Sequence, residues 1–420
     1  MWLTGPAGRA GLPCPSVGRV GRREQRRRRR RRTAVAVGCG VVAVIALGGG
    51  ILWATGRGDS SPAAVGVDAA GEPVVTAPTT TTVPPTPSDQ RRLSLVRTVT
   101  GNIAPKSVVA SGNGLVTAQN MMYRHSVTVY DADGNLVATI PDSVDLAAFG
   151  IQGHPGVVQG APVEAAFTPD EKHVYVTNYS MYGAGFGPEG SDSCTASQQF
   201  DDSYVYRISL DTMAIDQVIP VGAVPKYVEV SPDGKTLLVT NWCSYDLSII
   251  DTKTRQARAR VPLGAWPRGI AVSPDSKTAY VAVMGDNTVM RVDLATAAVT
   301  ATWPVGNAPR HAIVDPTGAF LYVTLNGEGN VVKVDTATGA VVARERSGTT
   351  PRTMVMAPDG RSLYVVNYDD STITKMATAD LSVLQVLATN EHPIGITYEP
   401  TTGRVWVAGY AGSLQLYDDR

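Results

Sequence analysis

Five basic residues occupy one recurring position in this chain, and their spacing is the first sign of chemistry. The residue that follows a proline is Lys106, Val163, Lys226, Arg268, Arg310, Arg352 and Ile394, and the last five of these prolines stand 42 residues apart. If the units superpose, the five cations ring one mouth of a channel, where low-dielectric walls focus their field. Such a ring suits a carboxylate, a phosphate or an acidic glycan. The same pattern would arise if each guanidinium paired with a carboxylate or carbonyl of a neighbouring unit, so both readings stand at this point.

Glu164 and His311 follow one position later, in the second and fifth units. With His154 and His392 on equivalent connections, they form a candidate acid–base or metal set. Zinc ligands must converge to about 2.1 Å from one ion, and these histidines belong to separated units with no H-E-x-x-H among them, so no metal and no cofactor are expected. Aromatic residues share the same face: Tyr179, Trp242, Tyr368 and Tyr410, with Trp266 before a proline. They offer stacking surfaces for bases or sugar rings, or they pack the repeat. Asp170, Asp233, Asp275 and Asp359 sit in Pro-Asp turns without the ligand spacing of a calcium loop, and they read as turn caps. No Walker loop, dinucleotide fingerprint or G-x-S-x-G elbow occurs in the required context.

The elements that carry these residues are short strands. The passages PKYVEVSPDGKTLLVTNW, PRGIAVSPDSKTAYVAVM, PRHAIVDPTGAFLYVTLN and PRTMVMAPDGRSLYVVNY open four successive units. Each unit holds an apolar alternation, a Pro-Asp-Gly-type turn and three further runs, as in GIAVS, TAYVAV, NTVMRVDL and AVTATWPV. A fixed period near 40 residues marks a repeat architecture, and four strands per period without a helical pattern define the blade of a β-propeller. Counting from Pro105, Pro162, Pro225, Pro267, Pro309, Pro351 and Pro393 gives seven blades, the second with an insertion of about 20 residues. The seventh ends after three strands. LSLVRTV at 93–99 resembles a fourth strand, and is expected to complete that blade and close the ring.

The segments VYVTNYS at 174–180, LLVTNW at 237–242, LYVTLN at 321–326 and LYVVNY at 363–368 resemble the YVTN-repeat β-propellers, the YncE-like and lactonase-like seven-bladed group. The resemblance spans roughly residues 93–420 and implies an extracytoplasmic binding or surface role more often than a defined reaction. Some relatives of that group are linked to single-stranded DNA, others to lactone hydrolysis or lyase chemistry.

The N-terminal part has a different composition. Residues 1–32 hold 11 of the 37 Lys+Arg and one of the 37 Asp+Glu, ending in an unbroken run from Arg26 to Arg32. They read as a disordered tail. Residues 33–56 are uncharged and long enough to span the hydrocarbon core. The arginine run would hold the tail in the cytoplasm and the propeller outside, giving a single-pass membrane protein. A cleaved signal peptide is the competing reading. The Pro/Thr-rich stretch 57–90 reads as an extended linker. The expected organisation is therefore all-β, a seven-bladed propeller over 91–420, after one transmembrane helix and a disordered linker. Outside the tail 26 basic residues face 36 acidic ones, which argues against bulk nucleic-acid binding and leaves a single strand as a lesser partner.

Cys194, in the inserted loop of blade two, and Cys243, at the corresponding turn of blade three, should lie side by side. Outside the membrane they are expected to form a disulfide, the alternative being two free thiols. The leading functional expectation is a non-catalytic, monomeric binding module. It would engage an anionic or polymeric ligand, a cell-envelope component or a protein partner through Lys106, Lys226, Arg268, Arg310, His311, Arg352, Glu164, Trp242 and Tyr368. The second expectation is a lactonase-like hydrolase or lyase with His311 and Glu164 at the channel.

Overall fold

The computed structural model describes residues 86–195 and 197–420. The expected cytoplasmic tail (1–32), membrane span (33–56) and most of the Pro/Thr linker lie outside the described residues. Among the described residues no helix is long and apolar enough to cross a membrane.

Seven antiparallel sheets follow one another along the chain, six with four strands and one with five. Blade four is representative: Pro267–Val272, Thr278–Val283, Thr288–Asp293 and Ala298–Pro304, paired in that order. Position within the blade explains composition. Second strands are covered on both faces by adjacent blades, so they read as continuous apolar runs, and Thr236–Asn241 is buried at every residue. Outer strands face solvent and alternate, as in Ala257–Pro262. The core lies between blades: Tyr280, Val289 and Trp303 of blade four enclose Leu321, Val323 and Val332 of blade five.

The turn aspartates act as the sequence suggests. Asp233 Oδ1 accepts from Ser231 Oγ at 2.6 Å and from the Lys235 amide at 3.1 Å. Gly234 closes that turn at φ 71°, where a side chain would be strained. Asp170 and Asp275 repeat the pattern.

Blade seven is completed by the N-terminal strand Leu93–Thr100, which pairs antiparallel with Ser413–Asp419 from Leu93↔Asp419 to Thr100↔Ser413. The closing segment is also fastened to blade six. Ser88 donates from its amide and its hydroxyl to Asp359 at 2.7 and 2.6 Å, and Arg361 binds Asp89 through two nitrogens at 3.0 and 2.9 Å. Gln385 exchanges two hydrogen bonds with the Leu93 backbone. Beneath them the fully buried Lys375 Nζ reaches Asp419 Oδ1 at 2.6 Å and the Arg91 carbonyl at 3.0 Å, while Tyr364 donates to Asp419 Oδ2 at 2.6 Å.

Blade two departs from the repeat. The link from blade one forms an extra strand, Ser143–Asp145, and a short 3₁₀ turn, Leu146–Phe149, capped by the Asp145 carboxylate. After His173–Tyr182 a long loop folds over the mouth and is tied by the Cys194–Cys243 disulfide, Cα–Cα 5.7 Å. The bridge closes 49 residues, worth roughly 4 kcal/mol in the chain-entropy estimate. Replacing both cysteines by serine is expected to lower the unfolding free energy from a two-state urea titration by that amount, read as a lower midpoint. An unchanged midpoint would show that the loop contributes nothing to the stability of the ring.

Candidate functional site

The first strand of each blade lines the central channel, and an irregularity at its start decides what points inward. Pairing slips between Pro225 and Tyr227, Pro267 and Ile270, Pro309 and His311, Pro351 and Met354, and Pro393 and Gly395. A bulge of this kind leaves one residue off the ladder and re-aims its side chain. The preceding residue is left-handed in the same five blades: Val224, Trp266, Ala308, Thr350 and His392 have φ between 51° and 60°. That conformation is costly for a β-branched residue such as Val224 or Thr350. The residue after the proline is thereby turned to the mouth, and the next one faces the channel.

Lys106, Lys226, Arg268, Arg310 and Arg352 meet at this mouth from five blades. Lys226 is 4% exposed and Arg268 and Arg310 are each 7% exposed, yet among the described residues only Lys226 has an ion pair, to Asp192 of the tethered loop. The Lys106 ammonium is held well below its usual range, first by burial and then by Lys226, Arg268 and Arg310. Burial likewise brings Lys226 down to about 7, with Asp192 opposing and Arg268 assisting. Burial pushes Asp192 up, but Lys226, Lys106 and Arg268 prevail and hold it below the usual carboxylate range. Its side chain is nevertheless 76% exposed, so it closes the ring from the solvent side.

Aromatic faces hold the cations in place. Lys226 Nζ lies 4.1 Å from the Tyr179 ring centroid and 5.3 Å from that of Trp242. The Arg352 guanidinium lies 4.4 Å over Tyr368, and Lys106 Nζ lies 5.2 Å from Tyr410. Trp242 stacks on Trp266 at 5.8 Å, and their indole N–H groups donate to the Asp192 and Cys194 carbonyls at 3.2 and 3.0 Å. Both tryptophans thus hold the loop. Tyr368 contacts both the Arg352 guanidinium and the stacked His392 ring, the latter at 4.5 Å.

Below the ring lies a cavity of about 410 Å³ lined by Glu164, Tyr227, Glu229, His311, Thr353 and Thr397, with apolar residues between them. Tyr227 of blade three and His311 of blade five share a hydrogen bond of 2.9 Å. Gly269 of blade four, between them, makes room: a Cβ there would come within 2.7 Å of the His311 Cα. Burial, reinforced by Arg268 and Arg310, brings His311 down to about 3, so the ring is neutral at ordinary pH, with Nδ1 unpartnered. Burial raises Glu164 to about 7 against the pull of Arg268, and it raises Glu229 to about 8, with Glu164 adding to it.

His154 stacks on Phe186 in blade two, and His392 lies at Tyr368; neither lines the cavity with His311. Five polar cavity or mouth residues escaped the sequence reading: Tyr227, Glu229, Thr353, Thr397 and Asp192. The first two stand two and four residues after Pro225, on the inward phase of a strand, and an acidic residue there is the available signal. Asp192 lies in an irregular loop without counterpart in the other blades, held by the disulfide and by Trp242 and Trp266.

The chain is thus a seven-bladed β-propeller with a cation-ringed channel. The YNCE-like beta-propeller family profile matches residues 197–382, and that of the VirB8 protein matches residues 19–100, reaching into the closing strand. No curated protein matches the chain. Among solved structures, Kuenenia stuttgartiensis hydrazine synthase is similar at a TM-score of 0.60 and 20% identity, covering 76% of this chain and 96% of that one. At that identity the likeness is one of fold.

Proposed function

We propose that this chain is a membrane-tethered, extracytoplasmic propeller that binds an anionic ligand, or an anionic group of a polymer or protein partner, at the channel mouth. One observation carries the reading: five basic side chains converge from five blades, and Asp192 supplies the ring's one ion pair among the described residues. Burying like charges together is costly unless something pairs with them. The uncharged stretch 33–56 behind an arginine run supports the tether, and the disulfide supports an oxidising compartment.

Sulfate keeps its charge across the neutral range and serves as probe. In the free protein, rising pH removes the proton of Lys226, at about 7, and ionises Glu164 and Glu229, at about 7 and 8. All three changes make the mouth less positive. Sulfate affinity by calorimetry is expected to fall at least tenfold between about pH 6 and pH 8.5, and to fall with added chloride. Undetectable binding, or binding indifferent to pH, would overturn the reading.

A second reading, a lactonase-like hydrolase or lyase, draws on the Tyr227–His311 hydrogen bond beside Glu164. Turnover of a lactone probe, abolished by His311→Ala, separates it from binding alone.

A further inference from the structure

Two carboxylates sit where a purely anion-binding channel would not place them. Glu164 and Glu229 both line the cavity beneath the cationic ring. Neither forms an ion pair among the described residues, and Glu229 has Glu164 as its charged neighbour. Glu229 stands three residues beyond the mouth position Lys226 on one strand, roughly 10 Å along it at about 3.3 Å per residue. Polarity therefore reverses with depth, from cations at the rim to carboxylates within. Apolar walls from Val109, Ala166, Ala271, Ile313 and Val355 separate the polar groups of this layer.

Resting on the anion reading of the mouth, we infer that the ligand is bipolar: an acidic head group for the ring, joined by a short linker to an ammonium that enters the cavity and pairs with Glu229 and Glu164. An ammonium is strongly hydrated, and carboxylates compensate the loss of that water well; the two glutamates supply them. A simple anion would leave both carboxylates unpaired beneath it, whereas a bipolar ligand compensates both layers at once.

The titratable and charged groups around Glu229 are few. The blade-two strand Val157–Phe167 presents Glu164, and the blade-four strand Pro267–Val272 presents Arg268. Its own strand adds Tyr227 and, at the mouth end, Lys226; His311 stands across the cavity, and the second strand Thr236–Asn241 behind it contains no titratable residue. Since burial holds Glu229 and Glu164 at about 8 and 7, an ammonium must displace protons to bind at low pH, but meets ready carboxylates above pH 8.

The test compares propane-1-sulfonate with 3-aminopropane-1-sulfonate by calorimetry on the folded propeller. Both probes keep constant charge from about pH 6 to pH 8.5. The amino compound is expected to bind at least about tenfold tighter near pH 8.5, with the advantage shrinking toward equality near pH 6. Glu229→Gln should abolish the advantage at high pH and, with one negative charge fewer beneath the ring, tighten propane-1-sulfonate there. Equal affinities for the two probes at both pH values, or an advantage untouched by pH and by the substitution, would overturn the bipolar ligand while sparing the anion site. Binding of neither probe would overturn the anion site itself. The wild-type comparison stands even if the variant folds poorly.

Discussion

Deletion of residues 86–100 is expected to destroy the single cooperative unfolding transition and to leave an aggregating protein. The segment supplies the outer strand of blade seven, pairing from Leu93 to Thr100 with Ser413–Asp419. Its loss exposes a row of unpaired backbone groups, a template for association. It also removes the two Ser88–Asp359 bonds, the bidentate Arg361–Asp89 pair and the Arg91 carbonyl from Lys375. Lys375 and Asp419 are fully buried, and water admitted to that pair dismantles an arrangement whose rupture costs about 3–5 kcal/mol. Edge and pair together approach the whole stability of an ordinary domain, about 5–15 kcal/mol. Calorimetry with light scattering reads the outcome. A reversible transition at the original temperature would show that blade seven holds with three strands.

The second large effect has opposite signs in two assays. Replacing Arg268 and Arg310 together by methionine should weaken sulfate binding by roughly 10²- to 10⁴-fold, at about 1.5–3 kcal/mol for each charged hydrogen bond lost. The same change should raise the melting temperature. Both guanidiniums are buried, they lie near each other and near Arg352, and neither has an ion pair among the described residues. Exchanging such charges for apolar volume is commonly worth about 1–4 kcal/mol of added stability. A site that stores repulsion for a ligand gives up binding and gains stability. A fall in melting temperature of comparable size would instead identify the arginines as bridges between blades.

The periodic part of this molecule was readable from the chain. Prolines 42 residues apart, Pro-Asp turns and apolar runs specify the blades because each unit repeats one packing problem. Leu93–Thr100 was recognisable because the seventh unit lacks its fourth strand, and Cys194 and Cys243 because equivalent turns of adjacent blades must be neighbours. The meeting of Lys106, Lys226, Arg268, Arg310 and Arg352 follows from the same period. What the sequence hid is backbone register and the irregular segments. Glu229 faces inward only because the bulge after Pro225 sets the phase of its strand, and sequence alternation alone does not reveal a bulge. Trp242, which the sequence left open between a stacking surface and repeat packing, is engaged by Lys226, Trp266 and the loop carbonyl of Asp192. The extra strand Ser143–Asp145 lies in an irregular link with no counterpart elsewhere.

The bulge at the start of the first strand in blades three to seven also separates two kinds of inheritance. Repeats that arise by copying one unit begin with identical side chains at every mouth position. Because the bulged residue stands off the ladder, its side chain can be exchanged without disturbing a strand hydrogen bond. Val163 and Ile394 occupy it as readily as Arg268 and Arg310, and Glu164, Tyr227, Gly269 and His311 share the position after it. Each bulged blade thus carries an exchangeable site at the mouth, while the site after it is coupled to its neighbours, as Gly269 is to the His311 backbone. Ligand preference can drift one blade at a time while the scaffold stays constant.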